Sequence, residues 1–130
     1  MARYNQGISI DGQYFDVPLL AIKRKADFLD KYAERTEDGD LKRELIGVYF
    51  NYQMAFGTID DDVTYRALWD KLTEPVEFHD FMVPTLGGSY SFRGYISSVS
   101  DEIEKVLSNT SKFKGLQCKF TAKQPARKPV

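Results

Sequence analysis

Few side chains in this 130-residue chain can attack a bond, move a proton or grip a metal. His79 is the single histidine and Cys118 the single cysteine. A histidine does general acid–base work when a nucleophile stands within reach, and "VEFHDFMVP" brings no serine or cysteine motif to it. His79 therefore reads as a structural histidine. Cys118 alternates with Leu116 and Phe120 in "GLQCKFTAK", the setting of a core thiol rather than an activated one, and one cysteine rules out an internal disulfide. Asp60, Asp61 and Asp62 are consecutive carboxylates, but the further ligands and spacing of a calcium loop are missing. They suit the capping of a helix. Gly87-Gly88 is followed neither by Lys-Ser/Thr nor by a helix, so it is not a phosphate loop. The expectation is a protein that is not an enzyme, with no catalytic, cofactor-binding or metal-binding residues and no cofactor.

Charge points the same way. The net charge of −1 gives no field to attract nucleic acid or a membrane surface. Lys23-Arg24-Lys25 looks basic in isolation, yet seven basic residues between Lys23 and Glu44 are matched by seven acidic ones: Asp27, Asp30, Glu34, Glu37, Asp38, Asp40 and Glu44. Alternating signs on two facing arms suggest cross-strand pairing. No recognition of nucleic-acid sequence and no membrane partner are expected. No apolar run approaches the ~20 residues of a membrane span, and "MARYNQG" lacks the hydrophobic stretch of a signal peptide, so the expected compartment is the cytoplasm. Nine Phe and eight Tyr favour strands and interfaces.

The elements that must carry these residues are mostly strands. "ISIDGQYFDVP" reads as a compact hairpin around Asp11-Gly12. "KRKADFLDKYAERTEDGDLKRELIGVYFNYQMAF", from Lys23 to Phe56, reads as a long hairpin turning at Asp38-Gly39. Its second arm places Ile46, Val48, Phe50, Tyr52, Met54 and Phe56 on one face. The first arm also fits helical spacing, at Ile22, Ala26, Leu29 and Ala33, but its partner is plainly β. "DDDVTYRALWDKL" is the best helix, with Tyr65, Leu68, Trp69 and Leu72 in one stripe and Pro75 as its stop. A third hairpin pairs Val76–Pro84 with Ser89–Val99, Gly94 marking a bulge or a close backbone approach. "SDEIEKVLSN" reads as a short helix capped by Ser100 or an irregular loop, and "GLQCKFTAK" as a closing strand. The expected fold is mainly β: an antiparallel split barrel or sandwich with a long hairpin and one packed helix. It forms a single domain over residues 1–123, followed by a flexible tail, 124–130.

Arms of about fifteen residues span roughly 50 Å, whereas a chain of this size packs into a body about 35–40 Å across. The hairpin must bend over that body or project from it. Apolar residues thin out from Ala33 to Asp40, and an isolated two-stranded ribbon is marginal in water. A projecting tip gains order by leaning on a neighbour. The expected contact set is Arg35, Glu37, Asp38, Lys42 and Arg43 near the tip, with Leu45 and Tyr49 as apolar contacts on the face opposite the core stripe. The rival reading is a stand-alone barrel binding a peptide or small ligand in a groove lined by Tyr49, Tyr90 and Tyr95.

The stretch "ADFLDKYAERTEDGDLKRELIGVYFNYQMAFG", followed by "YRALWDKLTEPVEFHDFMVP", resembles small virion structural proteins of tailed phages and prophages of Gram-positive bacteria. The likeness runs from about Ile8 to Arg127 and is one of overall pattern. It implies a component of the tail or baseplate region, akin to tail-tube, hub and distal-tail modules. Such modules commonly form six-fold rings in which sheets continue between subunits. The partners it implies are further copies of this chain, including a hexameric ring, and neighbouring virion proteins. The location it implies is the host cytoplasm during assembly and then the virion.

Overall fold

The computed structural model describes residues 6–59, 61–107 and 110–130. Among these residues seven strands and one helix follow in chain order: β1 Gly7–Ile10, β2 Gln13–Asp16, β3 Leu19–Arg35, β4 Leu41–Phe56, α1 Asp62–Leu72, β5 His79–Thr85, β6 Gly88–Leu107 and β7 Thr110–Ala122. The strands form one antiparallel sheet in the order β2-β1-β5-β6-β7-β4-β3. The β1–β2 turn has positive φ at both Asp11 (53°) and Gly12 (83°), the demand of the tightest hairpin turns. The long hairpin turns through three residues rather than two. Gly39 donates to the Thr36 carbonyl at 2.9 Å, and Thr36 donates to the Asp40 carbonyl at 2.7 Å. Gly39 takes a left-handed φ of 87°, as the last residue of such a loop requires.

The sheet is folded on itself, and β6 is where it folds. Gly88–Gly94 pairs with β5, while Gly94 onward pairs with β7. In a flat sheet Phe120 faces Ile96 of β6, and Phe92 lies about 13 Å further along that strand. Yet Phe81, the register partner of Phe92, stacks on Phe120 with ring centres 4.2 Å apart, and Tyr52 stacks on Phe92 at 5.3 Å. These contacts require the two halves to face one another, as in a sandwich. Gly94 permits the bend: a Cβ there would stand 2.3 Å from the Thr121 carbonyl oxygen, the close approach read from the sequence. The core is filled by Ile8, Ile10, Phe15, Met54, Phe56, Phe81, Leu116, Cys118 and Phe120, with Leu68 and Leu72 of α1 closing it. Asp61 caps α1, accepting from Val63 N at 3.0 Å and Thr64 Oγ1 at 2.6 Å; Asp60 lies outside the described residues.

The structure corrects one sequence expectation here. Ser100 to Leu107 is neither helix nor loop but the second half of β6, paired with β7 through to Leu107↔Thr110. Three register shifts, at Ile96/Ser98, Ser100/Glu102 and Ile103/Lys105, break the period of two that would have marked it as strand. Two residues of the tail bond to β4. Val48 N donates to the Arg127 carbonyl at 2.9 Å, and Ala126 N and Arg127 N donate to the Val48 carbonyl at 2.8 and 3.2 Å.

Candidate assembly surface

β4 is buried at one end and exposed at the other. Tyr52, Met54 and Phe56 lie in the core, whereas every residue from Leu41 to Glu44 is exposed. The reason is pairing: β7 accompanies β4 only from Tyr52 to Ala55. Beyond Tyr52 toward the loop, the hairpin is a two-stranded ribbon whose open edge meets, among the described residues, the Ala122 amide at Asn51 and the tail at Val48. From Asn51 to Asp40 this ribbon extends roughly 35 Å. Among the described residues β3 pairs with no strand other than β4, and none of its residues is fully buried.

Ionic and aromatic contacts hold the ribbon. Arg43 Nε donates to Asp30 Oδ1 at 2.6 Å while its guanidinium covers the Phe28 ring at 5.6 Å. Asn51 Nδ2 donates to Asp27 at 2.7 Å, Lys31 meets Glu44 at 3.8 Å, and Arg24 covers Phe50 at 5.8 Å. Such exposed pairs contribute at most about 1 kcal/mol each. In the loop, the Thr36 hydroxyl donates to Asp38, and with the Asp40 amide it holds that carboxyl below the usual carboxylate range. Arg35 Nη1 donates to the Gly39 carbonyl at 2.9 Å.

The seven sequence-derived contact residues therefore divide. Arg35, Asp38 and Arg43 bond within the ribbon itself, while Glu37 and Lys42 stand exposed. Tyr49 lies opposite Asp27, on the face away from the core stripe as expected. Leu45 does not. Register shifts at Leu29/Asp30 and Asp30/Tyr32 exchange the faces of the two arms, so the core-side face runs from Phe50 and Val48 to Leu45, Arg43 and Leu41. Arg43 on Phe28 and Asp30, both on that face, confirms the exchange. Sequence reasoning missed the larger apolar display: Phe28, Leu29, Tyr32, Leu41 and Ile46 are all exposed. Leu29, the exception on the face of the first arm that carries Lys23, Lys25, Asp27 and Lys31, was the one visible signal.

The remaining candidates are placed as follows. Tyr90 packs among Phe50, Tyr52 and Phe92, and Tyr95 lies on the opposite face of β6, so with Tyr49 they form no common groove. An open groove of about 580 Å³ runs between the end of α1 and β6, lined by Thr73, Glu74, Phe78, His79 and Tyr95. His79 is buried, and its Nδ1 stands 2.6 Å from Asp11 Oδ2. Asp11 Oδ1 accepts from Asp80 N at 2.7 Å, and Lys71 Nζ lies 3.3 Å from Asp11 and 3.5 Å from Glu74. Asp11, Glu74 and His79 each offer a ligand atom within 4.8 Å of the others, the donor types a zinc-class ion takes, but the Lys71 ammonium already bridges both carboxylates. The cluster acts as a latch joining the β1–β2 turn, the end of α1 and the start of β5. No helix among the described residues is long and apolar enough to cross a membrane.

No family model and no curated protein matches this chain. Among solved structures, it resembles a chain from the virion of a native gene transfer agent particle. The TM-score is 0.55 at 17% identity, covering 100% of this chain and 99% of that one. At that identity the likeness is one of fold.

Proposed function

We propose that this chain is a structural protein of a phage-like virion, a tail or baseplate-region component that assembles into rings through its long hairpin. The observation that carries this reading is the ribbon beyond Tyr52, left by β7 and met by the tail at Val48, which displays Phe28, Leu29, Tyr32, Leu41 and Ile46 to solvent. Exposed apolar side chains on the two faces of a marginal two-stranded element are surface that a neighbour covers. The fold shared with a chain from a gene transfer agent virion supports the same reading. The partners are other copies of this chain, in a closed ring whose one interface repeats around an axis, together with neighbouring virion proteins. Assembly takes place in the host cytoplasm, and the final location is the virion. The hairpin works by geometry and contact, not by chemistry.

Light scattering across concentration tests it. The intact chain is expected to form closed oligomers, and a variant shortened between Glu34 and Arg43 to lose them while keeping its sheet. An intact chain that stays a monomer at every concentration, its hairpin tip already rigid, would reject ring assembly. Imaging of particles with this chain labelled would then fix its layer.

A further inference from the structure

We propose that segment 124–127 is an exchangeable clasp, and that the edge of β4 at Gly47–Val48 in one copy receives this segment from an adjacent copy. This inference rests on the reading that copies stand side by side. Where β7 leaves β4, the edge of β4 would be bare. Asn51 Oδ1 first takes the Ala122 amide at 2.8 Å, and the tail then adds as a short strand at Val48↔Arg127. Gly47 makes the notch for it: a Cβ there would stand 2.6 Å from Pro125 Cβ and 3.0 Å from the Arg127 carbonyl oxygen. The site thus fits an extended segment with proline two residues ahead of the paired position.

Its hold on its own tail is slight. Three backbone hydrogen bonds secure it, two of them sharing the Val48 carbonyl, and each contributes roughly 1 kcal/mol net. Ala126 and Arg127 remain exposed. Lys123, by contrast, is fixed by its amide to the Arg93 carbonyl at 2.8 Å, so the chain pivots just after it. Four residues extend about 13 Å, which sets how near a receiving Val48 must come. The site is identical in every copy, so exchange keeps every contact and changes only the effective concentration of the tail. In an assembly that concentration is of millimolar order for the neighbour's tail as well.

Disulfide trapping in the full-length protein tests this. Val48→Cys copies, isotope-labelled, are mixed with unlabelled Arg127→Cys copies and oxidised, and the linked peptides are identified by mass. Cys118 is buried, and burial pushes its thiol up to about 12, so it stays out of the reaction. The expected product is a link between residues 48 and 127 of different copies, its yield falling about tenfold when the receiving copy also carries Gly47→Ala. Absence of that link in a mixture that light scattering shows to be assembled overturns the exchange and leaves ring assembly standing; a monomeric mixture without the link rejects both. A second variant leaves the receiving edge untouched. Ala126→Pro in the Arg127→Cys copy removes one amide from the clasp and is expected to lower the yield of the intermolecular link about tenfold. Assembly is expected to be unchanged, because the clasp is made equally within and between copies; an undiminished link would overturn the exchange.

Discussion

Asp11 illustrates how much one residue does for the fold. Burial alone would raise its pKa. The Asp80 amide, His79 and Lys71 outweigh that and bring it down to about 2 from an ordinary 3.8. A carboxyl depressed by folding contributes stability above its unfolded pKa and loses it as pH falls through the folded value. Denaturant titrations should therefore show about 1–2 kcal/mol vanishing between pH 4 and pH 2, after allowance for partial exposure. Asp11→Asn keeps the left-handed turn and is expected to flatten that part of the profile. Gly94→Ala drives a Cβ into the Thr121 carbonyl and should cost roughly 2–3 kcal/mol by the same assay. At this scale the sequence was partly legible. Gly94 announced a close approach and Cys118 a core thiol, because both follow from local alternation. The partnership of His79 with Asp11 was not legible, since 68 positions separate them and only the fold brings them together.

The elements differ in how firmly they are held. In β4 the amides of Tyr52 to Ala55 lie between two strands, while those nearer the loop have one. Hydrogen exchange is expected to be slow over the first group and fast from Leu41 to Glu44 in the free protein, with assembly slowing the latter. Trypsin should cut first at Arg35, Lys42 and Arg43, and shortening the tip should leave the melting temperature of the body nearly unchanged, as the core stripe ends at Tyr52. The hairpin was readable because β4 holds its alternation over the buried stretch and "TEDGD" marks the turn. Its far half was misread at Leu45, where two bulges exchange the faces. The same cause hid the second half of β6, whose three shifts leave no regular period to find. Strand irregularities, more than weak propensity, limited what could be read.

For the whole molecule, aromatic rings couple the two halves of the sheet. Phe81 and Phe120 stack at 4.2 Å from halves whose sheet pairing, among the described residues, is continuous through β6, so Phe120→Ala should cost about 3–5 kcal/mol. Near-ultraviolet and far-ultraviolet signals should still be lost in one shared transition. The mainly antiparallel fold with one helix was legible from element order, while the folding-over at β6 appeared only as a glycine. β4 and β7 run antiparallel through Tyr52–Ala55, and each extends from that pairing backward along the chain, β4 to Leu41 and β7 to Thr110. The Leu41 end of β4 and the Thr110 end of β7 consequently lie at opposite ends of the sheet. Tension drawn between them loads the short β4–β7 pairing in shear, where its hydrogen bonds must yield together instead of unzipping singly. A subunit gripped at both ends in this way would carry mechanical load lengthwise.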